Sequence, residues 1–235
     1  MANKTSSKNS PSPATGSVVE RIKMTRREAE AIEQDILIRR HIERYAIIRQ
    51  FAYGRSVDCA CGVGYGTHIL AKNADVSKIY GIDSDPTCIA HARKEFGGDK
   101  IEFIQGNIDD ITIPDIDFLA SLETIEHLPD PRCLNEFAQR CNVQEILVSF
   151  PAKKTTHYNK YHYWDLTTQD VLEIFGSDFV MINSFSYTFD TQFVHLARLK
   201  RECVPPRRFW ASRRQALPRV RDRRVRLQGR LVDGA

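Results

Sequence analysis

The chain has 235 residues, of which 42% are hydrophobic and 27% charged, a composition typical of one globular domain with tails. No apolar run approaches the roughly 20 residues of a membrane-spanning helix, and the polar N-terminus lacks the apolar core of a signal peptide, so we expect a cytoplasmic protein. The net charge of +4 divides into +8 for residues 201–235 and −4 for the remainder, which disfavours a nucleic-acid surface on the main body.

The N-terminal part of the chain is predicted to be a disordered leader followed by helices. Residues 1–18 are rich in Ser, Lys and Pro. Residues 19–54 carry Ile and aromatic residues at three- and four-residue spacing, which predicts one or two amphipathic helices ending at Gly54. We expect these helices to cover part of the following domain.

Residues 55–200 alternate between strand-like and helix-like segments. This alternation predicts a Rossmann-like α/β fold, with a doubly wound seven-stranded sheet whose last two strands form an antiparallel hairpin. The predicted strands are 56–60, 78–82, 100–105, 116–122, 145–150, 179–187 and 192–199, and the predicted helices are 67–73, 86–96, 131–141 and 167–175.

The C-terminal residues 201–235 form a tail of different composition. It contains eleven arginines and no lysine, and it shows no helical or strand period. This composition has two possible explanations: an arginine-rich arm that binds nucleic acid, or a compositional artefact such as a shifted reading frame. We favour the artefact. We expect this tail to be unstructured.

The cysteines show no sign of a metal site or a disulfide framework. Six are scattered along the chain without a CxxC pair or zinc-ligand spacing, and most have apolar neighbours. Reduced thiols in a cytoplasmic protein are the simplest interpretation.

A glycine turn follows the first predicted strand in the segment VDCACGVGYGTHIL, residues 57–70. Its glycines are too closely spaced for the GxGxxG dinucleotide fingerprint, and the GK[ST] of a phosphate-binding loop is absent. Asp58 precedes the turn, and Asp83 ends the second strand, where a carboxylate can accept hydrogen bonds from a ribose. Two such acids suit a ligand with an amino group and no pyrophosphate, which describes S-adenosyl-L-methionine (SAM).

Four ordered motifs, VDCACGVGYG, GIDSDP, QGNIDD and FLASLETIEHLPDP, resemble the class I SAM-dependent methyltransferases over residues 40–200. Among these, the chain most resembles the ubiquinone-type O-methyltransferases and those of sugar and glycan pathways. The segment RHIERYAIIRQFAYG also resembles a group whose N-terminal helix bears His, Arg and Tyr before such a turn. The resemblance therefore implies SAM as cofactor and a methyl acceptor that is a small molecule or a glycan precursor.

The resemblance also implies roles for individual cofactor-binding residues. Asp58, Cys61, Gly62 and Gly64 match the positions that hold the methionine moiety, Asp83 and Ser84 those at the ribose, Asn107 and Ile108 those at the adenine, and Leu122 and Glu123 those near the transferring methyl group. Two positions depart from the family pattern. Ala60 replaces the first glycine of the turn, and Asn107 replaces an aspartate whose contact with the adenine amino group an amide oxygen can still make.

Three residues near the fourth and fifth strands are candidate catalytic groups: Glu126, His127 and His162. A histidine that titrates near neutral pH can accept the proton of an acceptor hydroxyl. The alternative is that His127 only closes its loop and that His162, between two tyrosines, packs in a lid.

A metal-dependent alternative uses the same segment. Glu123, Glu126, His127 and His162 form an ExxEH pattern with a distal histidine, a set that suits a divalent cation. This pattern is similar to that of the Hen-type small-RNA ribose 2′-O-methyltransferases, although it also occurs in the metal-free ubiquinone-type group. We favour the metal-free interpretation, and a non-catalytic SAM-binding protein remains a third possibility.

Overall fold

The computed structural model describes residues 24–188 and 190–199. The predicted leader, residues 1–18, and the predicted tail, residues 201–235, lie outside the described residues. The strands are β1 Gly54–Cys59, β2 Val76–Asp83, β3 Ile101–Gln105, β4 Phe118–Leu122, β5 Glu145–Pro151, β6 Phe179–Tyr187 and β7 Thr191–Arg198. The helices are α1 Arg26–Ile48, α2 Tyr65–Ala71, α3 Pro86–Phe96, α4 Arg132–Arg140 and α5 Thr168–Phe175, and short 3₁₀ turns occupy Arg49–Phe51, Ile125–His127 and Gly176–Asp178.

The seven strands form one mixed sheet in the order β3-β2-β1-β4-β5-β7-β6. Strands β1 to β5 are parallel, whereas β7 runs antiparallel to both β5 and β6. The predicted Rossmann-like sheet with a terminal hairpin is therefore confirmed. The strand order reverses between β1 and β4, and in such sheets ligands bind at the carboxyl ends of the strands beside this switch point.

Both faces of the sheet are buried, which explains the continuous apolar runs of its central strands. Alternate residues of a strand point to opposite faces. On β4, Leu119 packs into the core formed with α4 and α5, whereas Phe118 and Ala120 pack into the core formed with α2 and the end of α1. Ile146 and Leu147 of β5 divide in the same way.

Helix α1 packs on the sheet only through its C-terminal turns. Its start is fixed by a capping box, in which Thr25 and Glu28 exchange side-chain and backbone hydrogen bonds. Arg44, Tyr45 and Ile48 are its buried residues. Four of the apolar residues whose spacing predicted an amphipathic helix are instead exposed, namely Ile32, Ile36, Ile38 and Ile42. We predicted that the N-terminal helices cover part of the following domain, and only the last turns of α1 do so.

Among the helices of the described part, none is long and apolar enough to cross a bilayer. The side-chain caps of α3 and α5 agree with their sequence signals. Asp85 accepts hydrogen bonds from the first turn of α3, and Pro86 follows it at the first helical position. Thr167 and Asp170 form a capping box at the start of α5.

Candidate functional site

The turn between β1 and α2 has a left-handed backbone at Ala60, Gly62 and Gly64. Glycine adopts this conformation at little cost. A Cβ on Gly64 would lie 2.7 Å from Cβ of Ala92 and 2.8 Å from the ring of Phe103, whereas a Cβ on Gly62 would meet no atom within 4 Å. Gly64 therefore permits close packing against α3 and β3, and Gly62 exposes its backbone to open space.

Asp58 is fully buried beneath this turn. One carboxylate oxygen accepts a hydrogen bond from the Tyr45 hydroxyl at 3.1 Å, and the other accepts one from Oγ1 of Thr67 at 2.7 Å. Burial raises the pKa of Asp58 to about 7, against the opposing effect of these two hydrogen bonds. The carboxyl group thus links α1 and α2 to the end of β1.

Asp83 lies at the carboxyl end of β2, directly beside the turn. Its carboxylate accepts hydrogen bonds from the backbone N–H of Gly62 at 2.8 Å and of Asp85 at 2.9 Å. It borders a cavity of about 100 Å³ that is also lined by Ser84, Asn107 and Ile108. Four of the residues predicted to bind the cofactor, from the carboxyl ends of two neighbouring strands, therefore surround one cavity.

A second cavity of about 400 Å³ adjoins the first, because Ala60 and Thr124 line both. Of the residues predicted to form the site, it contains Cys61, Gly62, Leu122, Glu123 and His127. It also contains four residues to which the sequence analysis gave no individual role, namely His41, Arg44 and Tyr45 of α1 and Tyr65 of α2. The signal for three of these was the spacing of RHIERY, which places them on one face of a helix.

Arg44 and Glu123 meet in this second cavity. Nη2 of Arg44 lies 3.7 Å from Oε2 of Glu123, and its Nε donates to Oγ1 of Thr191 at 3.1 Å. Oε1 of Glu123 accepts from the Ser149 hydroxyl at 2.7 Å. Burial raises the pKa of Glu123, although the positive charge of Arg44 and the hydrogen bond from Ser149 oppose that rise.

The three candidate catalytic residues lie together. One possible ligand atom from each of Glu126, His127 and His162 lies within 4.8 Å of the others, and the two imidazole rings are perpendicular with centroids 4.5 Å apart. The Glu126 side chain is buried, and neither carboxylate oxygen has a hydrogen-bond partner among the described residues. Burial, followed by the negative charge of Glu123, raises the pKa of Glu126 to about 8.

Backbone and side-chain contacts fix the tautomers of both imidazoles. Nδ1 of His127 lies 2.9 Å from the Tyr161 carbonyl, which can only accept, so Nδ1 carries a proton, and in the neutral imidazole Nε2 has a free lone pair. Oδ1 of Asn159 accepts from the Tyr161 N–H, and the Asn159 amide nitrogen therefore donates to Nε2 of His162 at 2.7 Å. Nδ1 of His162 then donates to Oγ1 of Thr155 at 2.6 Å.

The segment between β5 and α5, residues 152–167, lies against the loop that follows β4. The backbone N–H of Tyr163 donates to the Glu126 carbonyl at 2.9 Å, and Nε1 of Trp164 donates to the Leu128 carbonyl at 2.8 Å. Its aromatic residues are largely exposed, Tyr158 by 70% and Tyr161 by 64%. They are therefore available to an additional molecule rather than committed to the core.

Comparison with known proteins shows a family match over part of the chain. Residues 57–143 match the methyltransferase domain family. The chain is a methyltransferase, and SAM is its cofactor. No curated protein matches this methyltransferase.

Solved structures share the fold at low sequence identity. The N-methyltransferase NodS from Bradyrhizobium japonicum, in complex with S-adenosyl-L-homocysteine, is 15% identical, with a TM-score of 0.55 over 67% of this chain and 87% of that one. The magnesium protoporphyrin IX methyltransferase ChlM from Synechocystis, also with bound S-adenosylhomocysteine, is 14% identical, with a TM-score of 0.56 over 77% and 90%. A SAM-dependent methyltransferase from Aquifex aeolicus is 17% identical, with a TM-score of 0.55 over 65% and 88%.

The pair of cavities fits SAM in its chemistry. The smaller one offers a carboxylate, Asp83, and an amide, Asn107, beside apolar Ile82 and Ile108. The larger one begins at the open backbone of Gly62 and contains both a cation, Arg44, and an acid, Glu123. A nucleoside and a zwitterionic amino acid require these two kinds of surroundings. Of the predicted site residues, Asp58, Gly64, Glu126 and His162 do not border either cavity.

Proposed function

We propose that this methyltransferase methylates a hydroxyl group of a small molecule or a glycan precursor. The observation that carries the proposal is the state of His127. This residue borders the larger cavity beside Leu122 and Glu123, and its Nδ1–H is held by a backbone carbonyl. Its Nε2 lone pair is thereby available to accept a proton from an acceptor.

In this proposal the donor extends across both cavities. Asp83 accepts from the ribose hydroxyls, and Arg44 pairs with the methionine carboxylate in place of its long contact with Glu123. SAM supplies an activated methyl group, and the chain aligns the acceptor oxygen with it. The remaining proposed contacts are Ser84 at the ribose, Asn107 and Ile108 at the adenine, Cys61 and Gly62 at the methionine moiety, and Leu122 and Glu123 near the methyl group.

We propose a small acceptor rather than RNA because of charge and shape. The chain without residues 201–235 has a net charge of −4, which repels a phosphate backbone. The exposed tyrosines of residues 152–167 suit stacking against a sugar or an aromatic ring.

All five cysteines in the described part of the chain are free thiols, which supports a cytoplasmic location.

Incubation of the purified protein with methyl-labelled SAM and a cell extract tests this proposal. We expect label in small molecules or glycan precursors, in a bond that survives mild alkali as an ether does. His127→Gln should lower turnover roughly 10²- to 10⁴-fold, the usual contribution of a general base, while binding of S-adenosylhomocysteine is retained. The control is His157→Gln, an exposed histidine of residues 152–167, which should have full activity.

Label found only in RNA, or equal turnover of the two glutamine variants, would contradict the proposal. Cofactor binding without transfer to any fraction would instead indicate the non-catalytic SAM-binding protein.

A further inference from the structure

We infer that Glu126, His127 and His162 bind a divalent transition-metal cation that coordinates the acceptor oxygen. The three side chains come from two loops, after β4 and after β5, and one possible ligand atom from each lies within 4.8 Å of the others. The inference rests on the proposed function only for its second half, the hydroxyl acceptor. With the cation bound, Nε2 of His127 is a ligand, and water replaces it as the proton acceptor. The cation site itself rests on the geometry of the three side chains.

Glu126 provides the first argument. Its side chain is 1% exposed, and within the described part of the chain both carboxylate oxygens lack a hydrogen-bond partner. Leaving a buried carboxylate unsatisfied is costly, so such groups are normally hydrogen-bonded, ion-paired or metal-bound. One possible ligand atom from each imidazole lies within 4.8 Å of a Glu126 oxygen, and a cation between them would satisfy all three groups.

His127 provides the second argument. Histidines that bind metals usually donate their other ring N–H to a backbone carbonyl or a carboxylate, which fixes the tautomer and the ring orientation. The hydrogen bond from Nδ1 of His127 to the Tyr161 carbonyl is such a contact. It leaves Nε2 unprotonated, as a ligand nitrogen must be.

His162 can join the site after one exchange of partners. Its Nδ1 donates to the Thr155 hydroxyl, which is again an orienting contact and leaves Nε2 as the nitrogen that can bind a cation. Its Nε2 accepts from the Asn159 amide. A cation would replace this amide at Nε2, and rotation of the half-buried Asn159 side chain makes the exchange possible.

Glu123 is not part of the set, although the ExxEH pattern contains it. Its Oε1 accepts from Ser149 and its Oε2 faces Arg44. The ligand set is therefore two imidazoles and one carboxylate, which favours Zn²⁺, Mn²⁺, Fe²⁺ or Co²⁺ over Mg²⁺ or Ca²⁺ and leaves coordination positions open. Glu126 is buried, whereas His127 is exposed and lines the larger cavity. We therefore expect the open coordination positions of the cation to face that cavity.

The cation would act as a Lewis acid on the acceptor. An acceptor hydroxyl that binds to it has a lowered pKa and releases its proton to water. The oxygen lone pair then forms the O–CH₃ bond as the S–CH₃ bond breaks, and the electron pair of that bond stays on sulfur, giving S-adenosylhomocysteine. Acceptors that offer a second oxygen beside the hydroxyl would bind best, because they fill two open positions.

Titration with Co²⁺ tests the site without any acceptor. The full-length protein, freed of metal with EDTA, should bind one Co²⁺ per chain with a visible d–d spectrum. Glu126→Gln and His162→Ala should each weaken Co²⁺ binding at least tenfold, since even orienting partners contribute about 10- to 100-fold. His157→Ala and Glu123→Gln are the matched controls, and both should bind Co²⁺ as the unchanged protein does. Circular dichroism and thermal unfolding verify that each variant is folded.

Absence of Co²⁺ binding, or equal binding by His162→Ala and His157→Ala, would overturn the inference. Weakening by Glu123→Gln equal to that by Glu126→Gln would overturn the three-ligand set. Failure here is distinguishable from failure of the proposed function: EDTA-resistant labelling of a hydroxyl acceptor with no Co²⁺ site leaves the proposed function standing. A Co²⁺ site without a labelled hydroxyl product would support the cation site and contradict the proposed class of acceptor.

Discussion

Asp58 illustrates how a single residue of the site depends on its surroundings. Its position before the glycine turn predicted contact with the methionine part of SAM, and that role stays a prediction. The structure places its carboxyl group in the core, between Tyr45 and Thr67. Its pKa of about 7 follows from burial, which disfavours the charged form.

Replacement of Thr67 by valine should make stability more sensitive to pH. The pKa of Asp58 is about 7 in the folded chain and about 3.9 in an unfolded one, so stability falls as the pH rises from about 4 to 7. Loss of the Thr67 hydrogen bond raises the folded pKa further, and the fall then continues to higher pH. We expect Thr67→Val to cost about 1.5–3 kcal/mol at about pH 9 and less at about pH 5, measured by urea unfolding.

Thr67→Ser keeps the hydroxyl and is the control for this experiment. It should show the pH dependence of the unchanged protein. Equal destabilisation by valine at both pH values would mean that the hydroxyl does not stabilise the ionised carboxyl group of Asp58.

At the scale of elements, α1 combines two parts with different surroundings. Its first turns are exposed, whereas its last turns bring Arg44 and Tyr45 against the sheet and the glycine turn. Arg40, one turn before Arg44, pairs with Asp190 at the surface. The helix thus contributes to the cofactor side of the site only through its C-terminal end.

Replacement of Arg44 by methionine should weaken cofactor binding. If Arg44 pairs with the methionine carboxylate, loss of this charged hydrogen bond should raise the Kd of S-adenosylhomocysteine about 10- to 100-fold. Isothermal titration calorimetry measures it, with Arg40→Met as the control that removes a similar cation from the same helix. Unchanged affinity in Arg44→Met would refute the assignment, and a similar loss in Arg40→Met would point to displacement of the whole helix.

At the scale of the whole molecule, the site draws on residues far apart in sequence. The residues lining the two cavities lie between His41 and Leu128, and His162 completes the cluster with Glu126 and His127. Strand β7 lies in the interior of the sheet, between β5 and β6. The last described strand is therefore essential to the core, and it ends at Arg198.

Deletion of residues 201–235 should leave the Kd of S-adenosylhomocysteine unchanged, because every residue of both cavities precedes them. A longer deletion, of residues 190–235, removes β7 and should abolish soluble protein, since β5 and β6 then lose their shared neighbour. Size-exclusion chromatography and calorimetry measure the two outcomes. Loss of soluble protein in the shorter deletion would show that the arginine-rich tail contributes to folding.

The sequence by itself determined the fold class and the location of the site. Strand and helix periods are local properties, so the alternation from β1 to β7 was predictable, with the bounds of α3 and β6 placed at the observed residues. The carboxyl ends of parallel strands meet at one edge of a sheet. For this reason the loops carrying Asp83, Asn107 and Glu123 could be expected to converge before any coordinates were known.

Only the tertiary structure decided which side chains meet and what state they hold. The long-range contacts of Arg44 with Thr191 and of His127 with Tyr161 join segments that no local period relates. Glu123 accepts a hydrogen bond from Ser149, whereas the carboxylate oxygens of Glu126 have no hydrogen-bond partner among the described residues. Both features likewise depend on how distant segments of the chain pack. Burial and hydrogen-bond partners, which fix protonation and the available lone pairs, are properties of that packing and are absent from the sequence pattern.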